Sequence, residues 1–459
     1  MEFITNAVME VVNSKTWIEW LITIAKFALC FVPVCYILLL IPMERRGAGF
    51  MQDRQGPNRS YIKIPYFGKI RALGYIQNMC DGTKLFFKEL HTPTGANKII
   101  YNLAPIIPFA LTFLVPCVMP WFGTMTFTFG DSVVSIPGSI IDSDVGVLLL
   151  FGISSLSAYG AVLAGWASKS KFAYLGSLRT TAMTVSYEVC QGLCLMGLLL
   201  LVGSFNLTDI VNWQEHHVWG IVAQPVAFIC FLIATIAETG RAPFDVAEGE
   251  PELVAGYHTE YGAMQFGFFY MGEYAHIGIC SLLISTLFLG GYAVPFVTTE
   301  TMQANMGITL TALCGVLAFL ALAFLHMIYR YSRKLAASKQ SNKAVILQEY
   351  KLYKLVAWVA TLVFVAGAIA SYMFVNPGST IVNGAPVYGI GVALGTAVIH
   401  LLVLLAKSVI FCWVWIWVRW TLPRFRYDHV MHLGWKIILN IALLNLVVTA
   451  IIAKLVGGN

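Results

Sequence analysis

VGVLLLFGISSLSAYGAVLAGWASKSKFAYLGSLRTTAMTVSYEVCQGLCLMGLLLLV, residues 145–202, holds two apolar runs of bilayer-spanning length on either side of a short connection with Lys169, Lys171 and Arg179. About 20 predominantly apolar residues cross the hydrocarbon core, so the stretch reads as two transmembrane helices joined by a basic loop. Working outward, comparable runs begin near Trp17, Ile99, Val218, Met264, Gly307, Leu355, Tyr388 and Gly434, and with those from Val145 and Thr180 they predict ten spans. Composition agrees. The chain of 459 residues is 58% apolar and 11% charged, whereas a soluble domain is about a quarter charged. A soluble globular protein is excluded, and an all-α polytopic membrane protein is expected.

Basic residues set the orientation, because Lys and Arg are retained on the cytoplasmic side during insertion. Connections at 42–98, 167–179, 238–263, 330–354 and 419–436 hold 25 of the 29 Lys and Arg residues, and those at 122–144, 204–217, 291–306 and 376–387 hold none. Ten crossings with this alternation put both termini outside. The segment from Met1 to Thr16 is polar, contains Glu2 and Glu10 and precedes a run of spanning length, so no cleaved secretory signal is expected. None of the ten cysteines forms a C-x-x-C pair and most lie in apolar runs, which predicts packing and no metal site.

Two cytoplasmic connections carry the unusual chemistry. In the first, ERRGAGFMQDRQGPNR (Glu44 to Arg59) sets four arginines and a Gly56-Pro57-Asn58 turn just inside a span. GYIQNMCDGTKLFFKEL (74–90) follows, with Tyr75, Ile76, Met79, Cys80, Phe86, Phe87 and Leu90 on one helical face. That amphipathic pattern suits a helix on the membrane surface or a loop helix packed on protein. The second, ETGRAPFDVAEGEPELVAGYHTEYGA from Glu238 to Ala263, sets Glu238, Asp245, Glu248, Glu250, Glu252 and Glu260 against Arg241 alone. Crowded carboxylates disfavour joint ionisation, so the loop reads as proton-handling chemistry, or as a solvated acidic face for a basic partner. Glu188, Glu238 and Glu273 fall within or at the edges of apolar runs, where ionisable groups are costly and mark function. Lys26 and Lys407 lie deep in runs and need a polar partner or an aqueous path.

Taken in order, ERR (44–46), DRQGPNR (53–59), DGTKLFFKE (81–89), AVLAGWAS (161–168), SYEV (186–189), AETGRAPFD (237–245), AEGEPELVAGYHTEY (247–261), GEYAH (272–276) and WVRWTLPRFRYDHVMHLGWK (417–436) form one set. It resembles the family of the H membrane subunit of bacterial proton-pumping NADH:quinone oxidoreductase, respiratory complex I, whose mitochondrial counterpart is subunit 1. The resemblance implies a membrane subunit of that enzyme in the bacterial inner membrane, with quinone as substrate and no flavin, haem or iron-sulfur cluster of its own. It implies as partners the peripheral-arm subunits that carry the terminal iron-sulfur cluster and the quinone headgroup site, small and antiporter-like membrane subunits, and lipids, but no nucleic acid. Arg45, Arg46 and Arg54 would bind quinone. Glu188, Glu238, Arg241, Asp245, Glu248, Glu250, Glu252, Glu260 and Glu273 would couple its reduction to proton movement, and no residue is implied as catalytic in itself.

The chain departs from the family pattern twice, through the insert YIKIPYFGKIRAL (61–73) and through two additional spans near 307–329 and 355–375. The expected architecture is an eight-helix core plus an inserted two-helix transmembrane hairpin. Its division is a membrane core over 1–290, the hairpin over 291–387, and the last two core spans over 388–459. The rival reading is the equivalent membrane subunit of a hydrogenase or formate-linked complex, against which the GPNR turn and the complete surface-helix motif argue. A secondary transporter would instead show broken helices in matched halves.

Overall fold

The computed structural model describes residues 17–456 apart from 55, 58, 65–67, 130–131, 247–248, 338–342, 375–378 and 383–384. Its helices are α1 (Trp17–Phe27), α2 (Val32–Met51), α3 (Tyr75–Phe87), α4 (Gly146–Ala167), α5 (Lys171–Val202), α6 (Pro225–Glu238), α7 (Ala263–Phe288), α8 (Met306–Ala337), α9 (Lys343–Phe374), α10 (Ile390–Thr421) and α11 (Leu439–Val456), with shorter pieces between them. Among the described residues, nine helical stretches are long and apolar enough to span a bilayer. The polytopic all-α class is as expected, and the tenth span differs from expectation. The run from Val218 is broken into Gly220–Ala223 and the 14-residue α6. Pro225 has no N–H to continue the helix behind it, so α6 alone rises only about 21 Å, and the even number of crossings in the charge alternation needs both pieces, about 28 Å together, to make the passage. Proline also divides the run from Lys98, whose pieces restart at Ile106 behind Pro105 and at Val115. The α5 helix starts nine residues before the expected Thr180, so Lys171 and Arg179 lie on a helix that extends past its apolar stretch.

The centre of the bundle is α7, buried along most of its length, with α2 and α10 packed against it. Lipid tails are as apolar as leucine, so helix association in a membrane rests on close packing at small residues. Gly278 shows this, because a Cβ there would overlap the Tyr36 ring of α2. The two deep lysines are held by backbone oxygens. Lys407 Nζ donates to the carbonyls of Leu289, Gly291 and Ala293 at 2.7, 2.8 and 2.7 Å. Lys26 Nζ donates to those of Pro137 and Ser139 at 2.8 and 3.0 Å.

Strands occur only in connections among the described residues. The insert forms a hairpin of β1 (Ile62–Ile64) and β2 (Gly68–Ile70). At the opposite end of the bundle, β3 (Met125–Phe129), β4 (Ser132–Ile136), β5 (Ser379–Val382) and β6 (Ala385–Gly389) form a sheet in the order β4-β3-β6-β5. The β3–β6 pairing is parallel, with Phe127 opposite Tyr388. It ties together two connections that the charge pattern assigns to the same, non-basic side. Helices α8 and α9 pack chiefly on each other, with Thr311 Oγ1 2.9 Å from Ser371 Oγ. The exposed side of α3 carries Met79, Phe86 and Phe87, the last 82% exposed, an apolar face open to lipid or to a partner subunit.

Candidate functional site

The last two turns of α2 present Glu44, Arg45 and Arg46, and the chain then doubles back so that Gly56 and Pro57 lie against them. Only glycine fits that reversal. A Cβ on Gly49 would sit 2.9 Å from the Arg54 carbonyl oxygen, and one on Gly56 2.9 Å from Arg46 Cγ. Adjacent helical positions point about 100° apart, so neighbouring arginines on α2 serve different faces. Arg45 pairs with Asp81 of α3, which also accepts from Gln77 Nε2 at 2.9 Å, while Arg54 Nε donates to Gln52 Oε1 at 2.6 Å. Arg45 and Arg54 rim an open cavity of about 600 Å³ whose walls include Glu44, Tyr270 and Tyr274. Arg46 lines a different cavity, towards α8 and α9, so the three expected arginines are not brought together.

From the inner wall of the open cavity a line of polar contacts enters the bundle. Glu44 is buried; Tyr274 Oη donates to its Oε2 at 2.5 Å, and Arg419 from the end of α10 pairs with its other oxygen. The Arg241 guanidinium lies 4.5 Å from the Tyr274 ring centre and 5.4 Å from that of Tyr270, and its NH2 is 2.8 Å from Glu273 Oε2. Tyr257 Oη donates to Glu273 Oε1 at 2.9 Å. Three residues along α7, on the same face as Glu273, His276 Nε2 lies 3.4 Å from Glu238 Oε1 and 3.5 Å from Cys280 Sγ. Glu238 Oε1 also accepts from Ser154 Oγ at 2.9 Å and its Oε2 from Gln191 Nε2 at 2.6 Å. The next residue on α4, Ser155, donates to Glu188. Glu238, Tyr257, Glu273 and His276 share a small cavity of about 100 Å³, and Glu188 lines a separate apolar one.

Among the described residues of the acidic loop, Asp245 and Glu252 have partners outside it. Their counter-charges come from distant segments. Asp245 pairs with Arg424, Glu252 with Arg179 at 2.5 Å, and Phe425 N donates to the Pro243 carbonyl at 2.9 Å, which lays the last basic connection over the loop. The hydrogen-bonded guanidinium of Arg179 holds the Glu252 carboxyl below its ordinary value. The Glu260 carbonyl accepts from Tyr101 Oη at 2.7 Å. Glu250 begins a short helical turn, its side chain outside the described atoms, and Glu248 lies outside the described residues.

Sequence reasoning misses Glu44, Tyr257, Tyr270, Tyr274, His276, Gln191, Arg419 and Arg424 as members of the site. A signal exists for three of them: Tyr270, Tyr274 and His276 recur with Glu273 at helical spacing on one apolar run, the pattern of a polar stripe facing inward. For Arg419 and Arg424 there is none, since pairing across some 180 residues or more leaves no local trace.

The family model described as NADH dehydrogenase matches residues 24–339 and 341–450. The NADH-quinone oxidoreductase H subunit of Bdellovibrio bacteriovorus is 34% identical over 440 residues, covering 90% of this chain and 91% of the relative. One H subunit of the same enzyme from Geobacter metallireducens is 34% identical over 438 residues, covering 95% and 97%. NADH-quinone oxidoreductase subunit 8 of Rhodothermus marinus is 33% identical over 417 residues, covering 90% and 91%. A match along nearly the whole chain, on a bundle of membrane-spanning helices, decides the question: the chain belongs to the NADH dehydrogenase family, as a membrane subunit of the H type of the respiratory complex I enzyme.

Proposed function

We propose that this chain forms much of the quinone chamber of a proton-translocating NADH:quinone oxidoreductase and couples quinone reduction to proton movement through its buried carboxylates. The observation that carries this reading is the succession of polar and ionisable side chains from the open cavity inward, with Glu44, Tyr274, Arg241 and Glu273 in contact one after another, His276 and Glu238 paired one helical step further on, and Glu188 held by the serine next to the one that holds Glu238. Reducing a quinone to a quinol takes two electrons and two protons. The electrons come from the terminal iron-sulfur cluster of a peripheral-arm partner, and the headgroup site lies in that partner.

Within this chain, Arg45 and Arg54 guide the quinone at the cavity mouth, and Arg46 supports the turn behind them. Drawing protons toward the headgroup disturbs the hydrogen bond between Tyr274 and Glu44 and, through the Tyr274 ring, the position of Arg241. Arg241 is the pivot, since it faces both tyrosine rings and Glu273, and a change in its partners alters which of Glu273, His276 and Glu238 holds the next proton. Asp245 and Glu252, paired with Arg424 and Arg179, hold the loop that carries Arg241, and with Glu248, Glu250 and Glu260 they belong to the acidic set that couples quinone reduction to proton movement. From Glu188 the bias passes to the small and antiporter-like membrane subunits. Residues 291–387 are an inserted hairpin on a core of 1–290 and 388–459, and both termini lie on the outer side of the bacterial inner membrane.

The test is gentle purification of the native complex through a tag on this chain. Inhibitor-sensitive NADH-dependent quinone reduction with proton translocation after reconstitution is expected. Copurification with a hydrogenase arm, or alone, would overturn the reading.

A further inference from the structure

Neither the insert at 61–73 nor the helix pair α8–α9 takes part in the chemistry above, and the two meet each other. The turn that ends the insert runs through Ala72, Leu73 and Gly74 with φ of 45°, 54° and 93°, three successive residues in the left-handed region of which only one is glycine. Such a run is unfavourable for residues with a Cβ and persists only where the surroundings hold it. Gly74 N closes the turn on the Arg71 carbonyl at 3.0 Å, and the two N–H groups that flank Ala72 are both taken by α9. The backbone N–H of Arg71 donates to Glu349 Oε1 at 3.0 Å and that of Leu73 to Tyr353 Oη at 3.1 Å, while the Tyr353 hydroxyl donates to Glu349. Glu349 is buried. The tyrosine is seated in turn: its ring lies edge-on to Tyr350, 5.7 Å between centres, and Tyr350 lies 5.4 Å from Tyr331 of α8. The joint therefore has both helices behind it.

On its other side the turn launches the surface helix. α3 begins at Tyr75 directly after Gly74, and a Cβ on Gly74 would lie 3.4 Å from the Pro57 ring, so the turn also rests on the Gly56-Pro57 reversal. In the first turn of α3, Gln77 lines the open cavity with Arg45, Gly56 and Pro57. Ser60 Oγ donates to Gln77 Oε1, and Gln77 Nε2 donates to Asp81, the partner of Arg45. A helix whose first residue shifts carries its side chains along, because its backbone hydrogen bonds make it a rigid rod. From this chain of contacts we propose that α8 and α9 are a strut for the surface helix: Glu349 and Tyr353 fix the 71–74 turn, and through it the placement of Gln77 and Asp81 at the mouth of the open cavity. They are positioning residues for the entry of the quinone, a role that rests on the quinone reading above, whereas the mechanical coupling does not. Entry of a long-tailed quinone depends on the shape of the mouth, and the electron and proton steps take place beyond it. Loosening the strut therefore weakens capture and spares the chemistry.

Hydrogen–deuterium exchange of the intact detergent-solubilised complex, read by mass spectrometry, tests the strut without any assay of activity. Tyr353→Phe removes a single hydroxyl, and with it the acceptor of the Leu73 N–H; Glu349→Met removes the acceptor of the Arg71 N–H. Amides in 71–87 are expected to exchange about tenfold faster in either variant, the scale of one lost hydrogen bond. Thr311→Val, which breaks the Thr311–Ser371 contact at the far end of the same helix pair, should leave 71–87 at the wild-type rate. In steady-state kinetics of the first two variants, KM for a long-tailed quinone should rise about fivefold at wild-type kcat, whereas a structural role alone would lower the amount of active complex without moving KM. If the Glu349→Met complex does not assemble, Tyr353→Phe decides. Unchanged exchange in 71–87, or the same acceleration in Thr311→Val, overturns the strut, and faster exchange at wild-type KM overturns its part in quinone entry. A wild-type complex without quinone reductase activity would sink the quinone reading and leave the exchange result standing, so the two fail separately.

Discussion

The Tyr274 hydroxyl stands 2.5 Å from Glu44 Oε2, a contact between the central helix α7 and the end of α2 that joins the wall of the open cavity to the bundle interior. Tyr274→Phe keeps the ring and its face toward Arg241 and removes only the donor. A hydrogen bond to a charged group contributes about 1.5–3 kcal/mol, so kcat for quinone reduction should fall about tenfold or more in a fully assembled complex. Steady-state kinetics on the purified variant checks this, and a wild-type kcat would place Tyr274 outside the coupling route.

Arg241 and Glu273 form a largely buried pair. Removing one partner leaves the other charge uncompensated at a cost of about 3–5 kcal/mol. Arg241→Met should therefore reduce assembled complex sharply, and Arg241→Met with Glu273→Met should recover part of it. Thermal denaturation of the detergent-solubilised complexes gives the comparison, and additive losses in the double variant would show that the two groups do not interact.

Lys407 donates to three backbone carbonyls at the turn after α7. Lys407→Met removes those donors from a site that bulk water does not reach, and each orphaned acceptor costs about 1–3 kcal/mol. Loss of assembly is expected, with unchanged KM for quinone in whatever complex remains. Reduced activity with full assembly would instead give Lys407 a part in the chemistry.

Glu252 is paired with Arg179, and its pKa is depressed in the folded chain. A depressed carboxylate pKa stabilises the fold above the unfolded pKa, about 4.3 for Glu, and that contribution is lost as pH falls through the folded value. The difference in Tm between the wild type and Glu252→Gln should be present at neutral pH, start to shrink as the pH falls through about 4.3, and vanish only below the depressed folded value. A difference that does not change with pH would mean that the pair does not carry it.

The helices are legible in the sequence because hydrophobic runs of spanning length need no tertiary information, and Glu188, Glu238 and Glu273 stand out because a carboxylate in such a run is costly unless it finds polar partners, which all three do. What misleads is locality. Counting charges within 238–263 makes the acidic loop repulsive, whereas Arg179 and Arg424, which neutralise Glu252 and Asp245, come from other connections. Pro225 is visible inside the run that suggests a continuous span, and its missing N–H is enough to explain the break. The meeting of Arg71 with Glu349 is not legible at all, since neither segment has a local pattern that requires the other.

Protons are proposed to pass along the line ending at Glu238 and Glu188. Glu238→Gln replaces an ionisable group by an amide of nearly the same shape, which can still accept from Ser154 and Gln191. The most direct measurement is of quinone reduction and proton translocation together, on the Glu238→Gln complex in proteoliposomes. The Glu238→Gln complex is expected to assemble and to translocate far fewer protons per quinone reduced, or to lose both activities. Wild-type rates with a wild-type proton-to-quinone ratio would contradict it.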